Sequence, residues 1–190
     1  MISISLFGFP GAGKGTQAKL LSKKLNLVHI STGDMIRNAI AKKSPAGIEA
    51  EKIIKAGGLL DDHIISRMLR NELWKIKNPE GILLDGYPRT IVQAEVLDGI
   101  LKDLDSKLDA LIELVISEQE CIQRLLKRAK KEKREDDNPE TIKNRFMEYR
   151  SKSAPVVDYY SKKGIYFGVE GTGSIEDVNK LVLEVIKMLH

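Results

Sequence analysis

"GFPGAGKGTQ", residues 8–17, decides how the rest of the chain is read. It contains G-x-x-x-x-G-K, a spacing in which glycines let the backbone wrap a phosphate while a lysine supplies a point charge. The residue after Lys14 is Gly15, although such loops usually place Ser or Thr there to ligate Mg²⁺. The hydroxyl is displaced to Thr16. Context turns this match into a mechanism. The apolar run Ile2–Phe7 predicts a strand, and helical periodicity starts at about Lys14. The glycine loop therefore opens a helix, whose N-terminal N–H groups and dipole favour an anion.

Further apolar, partly β-branched runs lie at Leu27–Ile30, Gly81–Leu84, Leu111–Ile116 and Ile165–Val169, separated by helical patterns. Strands apolar throughout and alternating with helices predict an α/β protein, its parallel sheet covered on both faces. Helix signals agree. Ser117 with Glu120 forms a capping box, and Asn138-Pro139 is an N-cap followed by proline at the first helical position. Ile175, Val178, Val182, Val185, Ile186 and Leu189 trace one apolar stripe. Pro155 is expected to kink or end the helix that begins at Pro139.

With 190 residues, 42% hydrophobic and 31% charged, the chain has material for one full core and one main domain. Its net charge of +4 and pI near 9.0 fit a nucleic-acid surface, or Lys and Arg gathered around phosphates. Aromatic residues at 5% give little support to a base-stacking platform. The one cysteine, Cys121, excludes an internal disulfide and a Cys-rich zinc site, which points to a reducing compartment, by default the cytoplasm. The start "MISISLFGF" has no basic leader and is too short to span a bilayer. No nucleic-acid or membrane partner is expected, and the chain is read as a monomer. His29, His63 and His190 have no constellation around them and are read as incidental. Trp74 and Tyr149 are read as helix-face packing, and Cys121, beside Ile122 and Leu125, as a small apolar residue.

Further motifs concentrate charge. In "STGDMIR", residues 31–37, Ser31 or Thr32 can cap a helix and Asp34 suits its first turn, but no cap needs Arg37. "AGGLLDD", residues 56–62, is a glycine break between two helices. In "ILLDGYPRTIVQA", residues 82–94, a strand ends in Asp85, and a Gly86-Tyr87-Pro88 loop presents Arg89 at the carboxyl edge of the sheet, where open α/β folds bind ligands. Arg124 and Arg128 stand at i and i+4, roughly 40° apart on one helix face, where like charges repel unless an anion lies between them. "KREDDNPETIKNR", residues 133–145, adds Arg134, Asp136, Asp137 and Arg145.

These stretches resemble the nucleoside monophosphate kinases, adenylate kinases in particular, through five motifs taken in order over essentially the whole chain. The resemblance implies a P-loop NTPase fold with a five-stranded parallel sheet in the order 2-3-1-4-5, and reversible transfer of a phosphoryl group from Mg·ATP to AMP, giving two ADP. It implies a core (1–30, 61–126, 138–190), a mobile AMP-binding segment (31–60) and a lid (127–137). Only eight residues separate Arg128 from Asp137, so the lid is of the short kind, without zinc. In this family Mg²⁺ is held mainly by nucleotide phosphates and water, so no hydroxyl directly after the lysine is required. Asp85 would reach the ion through water.

The backbone of Gly11, Ala12, Gly13, Lys14, Gly15 and Thr16 would wrap the donor's phosphates, and Gly173, in "VEGTGS", would meet its adenine. Thr32 and Gln93 would contact the AMP adenine, and Arg37 and Arg89 its phosphate. Gly58, Leu59 and Leu60, with Gly86, Tyr87 and Pro88, would line the acceptor site. Lys14, Arg89, Arg124, Arg128, Arg134 and Arg145 would carry catalysis, Arg124 and Arg128 toward ATP, Arg134 and Arg145 toward AMP, with Asp136 and Asp137 orienting the arginines. Phe9 is bulkier than the small residue the pattern leads one to expect. Alternatives are a UMP/CMP kinase, disfavoured by Thr32, Thr90 and Gln93, and, from other classes, a nucleotide-gated switch or a nucleic-acid-binding ATPase.

Overall fold

Five short runs, apolar on both faces, become strands: β1 (Ile2–Phe7), β2 (Val28–Ser31), β3 (Gly81–Asp85), β4 (Ala110–Val115) and β5 (Tyr166–Glu170). A computed structural model describes residues 1–77, 79–132 and 137–189, and of Ala46 the backbone only. The strands pair in parallel in the order β2-β3-β1-β4-β5, as the resemblance implied, and each predicted run lies within one residue of an observed strand. β1 is central, with Ser5 opposite Leu84 on one side and Leu111 on the other. The chain winds one way from β1 to β2 and the other way from β3 to β4, and a crevice opens where the direction reverses.

Two cores cover the sheet. One joins Ile4, Leu6, Leu83, Ile112 and Leu114 to α1 (Lys14–Leu25), α6 (Glu118–Glu132), α7 (Pro139–Glu148) and α9 (Ile175–Lys187). The other joins Phe7, Ile82, Leu84 and Leu111 to α2 (Thr32–Ala41), α3 (Pro45–Lys55), α4 (Asp62–Leu73), α5 (Ile91–Asp103) and α8 (Pro155–Lys162). The split follows the two-residue period of a strand. Ser5, polar inside this run and fully buried, donates to the Tyr87 carbonyl at 2.7 Å and so anchors the loop that carries Arg89.

The caps form as the sequence leads one to expect. Ser117 accepts from the Glu120 N–H, Asn138 from Thr141 and Ser31 from Asp34. The break expected at Pro155 is present and begins ahead of it. The helix from Pro139 ends at Glu148, a π-helical turn follows over Tyr149–Ser153, and Pro155 starts α8. With no N–H to donate, proline fits a first helical position, and the bond from Ala154 N–H to the Tyr149 carbonyl, five residues back, takes up the mismatch. Two other readings are corrected. Trp74 caps the end of α4 and is 62% exposed, and Ile175, the first residue of the α9 stripe, faces solvent at the crevice.

Candidate active site

β1, β2, β3 and β5 deliver their carboxyl ends to the crevice. β1 runs into the glycine loop, where the residue at position 11 adopts φ +88 with its Cα so close to α6 that a Cβ would lie 2.6 Å from the Cys121 carbonyl. Gly11 thus lets the loop close onto α6. Gly15 has a different reason: a Cβ there would stand 3.2 Å from Asp85 Oδ2. The displaced hydroxyl of this loop leaves space beside a carboxylate. Burial alone would raise the Asp85 carboxyl, but His29, Lys14 and Arg89 outweigh it and hold it below the ordinary value. An ionised oxygen donor with room beside it suits Mg²⁺ held through water. Among the described residues no cluster of three or more His, Cys, Asp or Glu could hold a metal directly.

A cavity of about 720 Å³ is lined by the loop from Pro10 to Gln17, by Asp85, Arg124 and Arg128, and by Gly171, Gly173, Ser174 and Ile175. A smaller one, about 100 Å³, lies between the loop and Ile36, Ile54, Gly57, Gly58, Leu59, Gly86 and Pro88. Lys14, Arg37, Arg89 and Arg145 line both. Each cation rests on an oxygen of the chain. Lys14 Nζ donates to the carbonyls of Gly8 (2.8 Å) and Phe9 (2.9 Å), and Arg89 Nε to that of Gly86 (2.8 Å). Arg124 bonds Glu120 at 2.5 Å and the Ala12 and Gly171 carbonyls, so the repulsion expected between Arg124 and Arg128 is met by separate carboxylates. Arg128 grips both oxygens of buried Asp137, at 2.6 and 2.8 Å, and Arg145 shares one of them at 2.8 Å.

The remaining sequence-assigned residues stand behind these walls. Thr32 is buried and donates to the Gly86 carbonyl at 2.9 Å, Leu60 is in the core, and the Tyr87 hydroxyl meets Ser66 at 2.8 Å. Gln93, also buried, accepts from the Arg89 N–H at 2.7 Å and donates to Asp62 at 2.7 Å, while Thr90 caps α5 and bonds the other Asp62 oxygen. They shape the loop that holds Arg89 and do not line either cavity. Arg134 and Asp136 lie outside the described residues.

Three features escaped the sequence reading. His29, set aside as incidental, places Nε2 3.7 Å from Asp85 Oδ2 and lines the larger cavity. Asp62 organises Thr90 and Gln93, and an aspartate four positions after Gly58 gives no signal of that. α7 bonds the end of the α3 region through Thr141 to the Lys55 carbonyl and Asn144 to the Ala56 carbonyl.

Lys14 has an ammonium pushed down to about 8, first by burial, then by Arg89 and Arg145, with Asp85 opposing them. An unfolded chain binds more protons than the folded one between about 8 and 10.5, so this group adds stability as pH rises through that window. A bound phosphate favours the charged form and would reverse the shift. Affinity for a polyphosphate is therefore expected to be level below pH 8 and to fall up to about tenfold per pH unit above it, with proton uptake on binding. Titration calorimetry from pH 7 to 9.5 in buffers of different ionisation enthalpy checks this, and a level affinity would contradict it.

A glycine loop that joins the central parallel strand to a helix, at the point where the strand order reverses and with an acidic strand end beside it, defines a P-loop nucleotide-binding protein. A family model for adenylate kinase matches residues 6–165. Relatives named adenylate kinase include one from Leptospira biflexa, 42% identical over 98% of this chain and 100% of the relative. Others are from Thermobifida fusca, 42% identical over 97% of both chains, and from Azobacteroides pseudotrichonymphae, 43% identical over 100% and 99%. The chain belongs to the adenylate kinase family.

Proposed function

We propose that the chain transfers the γ-phosphoryl group of ATP to AMP, reversibly, giving two ADP. The observation that carries this reading is the pair of cavities meeting at one set of cations, Lys14, Arg37, Arg89 and Arg145. A nucleotide switch needs one pocket; transfer end to end needs two that open on the same charges. The larger suits the donor, its phosphates wrapped by Gly11 to Thr16 and its base near Gly173. The smaller suits AMP, with Gly58, Leu59, Gly86 and Pro88 along it and Arg37 and Arg89 on the phosphate. The names of the relatives favour AMP over a pyrimidine acceptor.

An AMP phosphate oxygen attacks the γ-phosphorus while the bond to the β–γ bridging oxygen breaks, and ADP leaves with the electron pair. The attacking oxygen is already anionic, so the protein need supply no general base. Fixed cations in a site shielded from water stabilise the charge spread over the equatorial oxygens. Lys14, Arg89, Arg124, Arg128 and Arg145 would do this, joined by Arg134 on the strength of the family resemblance. Asp85 would hold Mg²⁺ through water, and the ion would supply neutralisation of the nucleotide's phosphate charge. Segments 31–60 and 127–137 would close over the nucleotides while 1–30, 61–126 and 138–190 form the core, and closure excludes the water that would hydrolyse ATP.

Both cavities lie within one chain, which supports a monomer, and the buried lone cysteine supports a reducing compartment such as the cytoplasm. Among the described residues no helix is long and apolar enough to cross a membrane. A coupled ADP-formation assay with AMP, CMP, UMP and GMP tests the reaction. AMP is expected to lead the others by on the order of 10²-fold in kcat/KM. Equal use of UMP or CMP would make it a pyrimidine nucleotide kinase. ATP binding without ADP formation would favour a switch, and salt-dependent oligonucleotide binding a nucleic-acid ATPase.

A further inference from the structure

Phe9 stands where the family pattern leads one to expect a small residue, and the structure gives its ring a definite place. Half-buried, it packs against both cores of the protein, one on each face of the sheet. Its ring stacks on Phe146 with centroids 5.1 Å apart and leans on Tyr149 at 4.2 Å. Tyr149 in turn meets Phe7 at 5.6 Å and donates its hydroxyl to Glu113 at 2.6 Å, while the other Glu113 oxygen accepts from Tyr166 at 2.8 Å. The far wall of the clasp is thus fixed to β4 and β5.

The two ends of this contact lead to two cations. The Phe9 carbonyl accepts from Lys14 Nζ at 2.9 Å and from the Ala12 N–H at 3.1 Å. Phe146 follows Arg145 directly on α7, and Tyr149 lies one turn further on. Lys14 and Arg145 line both cavities and repel each other, a repulsion that Asp85 beside Lys14 and Asp137 on Arg145 reduce. Lys14 feels the Arg145 charge directly, which is one cause of its lowered ammonium value.

We infer that Phe9 is a positioning residue for phosphoryl transfer: clasped between Phe146 and Tyr149, its ring holds the phosphate loop at a fixed spacing from α7, so that Lys14 and Arg145 bracket the same phosphoryl group. This rests on the roles proposed above for those two cations. A loss of alignment near 1 Å at the reacting centre costs on the order of 10²-fold in rate, so a clasp of this kind acts on kcat more than on nucleotide affinity.

The test is a double-mutant cycle between Phe9→Ala and Arg145→Ala, read as kcat and the two KM values well below the melting temperature. Phe9→Leu serves as a milder second variant that keeps most of the side-chain volume, and Leu97→Ala, in the α5 core away from both cavities, as a stability control. Phe9→Ala is expected to lower kcat about tenfold or more with both KM values within about threefold, and Phe9→Leu to follow in smaller measure. Leu97→Ala is expected to lower the melting temperature and leave kcat within about twofold. In the Arg145→Ala background the effect of the Phe9 changes is expected to shrink below about twofold, because the spacing they set no longer matters. An undiminished Phe9 effect there overturns the clasp while leaving Arg145 its role. A normal kcat in both Phe9 variants also overturns it. If Arg145→Ala alone leaves kcat within about threefold, the role of Arg145 fails, and the clasp fails with it.

Discussion

Arg89→Ala is expected to lower kcat by on the order of 10³-fold, by analogy with arginines that act mainly on transition-state charge. The side chain sits where the two cavities meet, with one Nε bond to the Gly86 carbonyl at 2.8 Å leaving the rest of its fork toward the shared space. Burial first, and Arg37 beside it, depress its charged form, with Asp85 opposing, so an approaching phosphate meets a cation poorly served by water. Such a charge is worth more to a developing anion than one already solvated. Stability should change little, since Ser5 and Gln93 hold the loop through the Tyr87 carbonyl and the Arg89 N–H, neither of which alanine removes. A fall in turnover of less than about tenfold, measured by coupled ADP formation, would contradict the assigned role.

Asp137→Ala is expected to be the most damaging change for stability, by about 3 kcal/mol. The carboxylate is buried and receives three of the hydrogen bonds seen from Arg128 and Arg145, whose side chains remain 29% and 20% exposed. Removing the shared anion takes from both guanidiniums the carboxylate between them, and their contact with water keeps the cost at the lower end for a broken buried pair. For a chain of this size the melting temperature should drop by roughly 6–12 °C. Urea unfolding gives the free energy directly. A loss below about 1 kcal/mol would put the cluster with ordinary exposed ion pairs.

The elements were legible because their signals are local. Strand runs, capping residues and the glycine loop each declare themselves within a few neighbouring positions, which is why β1 and the caps at Ser31, Ser117 and Asn138 appear where the residues place them. The π-helical turn was not legible: Pro155 announced a break, but no local signal marks that α7 stops at Glu148, ahead of the buried Tyr149 and Ser153. The site divides the same way. Lys14, Arg89, Arg124, Arg128 and Arg145 follow from motifs, and all line the crevice. His29 beside Asp85, Asp62 beneath Gln93, and Phe9 against Phe146 are contacts across 56, 31 and 137 positions, beyond the reach of any local pattern. Thr32 and Gln93, assigned by resemblance to the adenine, turn out to hold backbone, because a loop that must present an arginine needs its own hydrogen bonds satisfied first.

The central place of β1 also bears on how the chain is made. Its register joins Ile2 to Gly81 and Ile4 to Ala110, partners 79 and 106 positions downstream. At ribosomal speeds of about 5–20 residues per second, the hexapeptide ISISLF waits roughly 4–16 s for its first neighbour and longer for its second. During biosynthesis the segment that leads into the nucleotide loop is an unpaired, aggregation-prone edge, and nascent-chain chaperones have most reason to hold the polypeptide there.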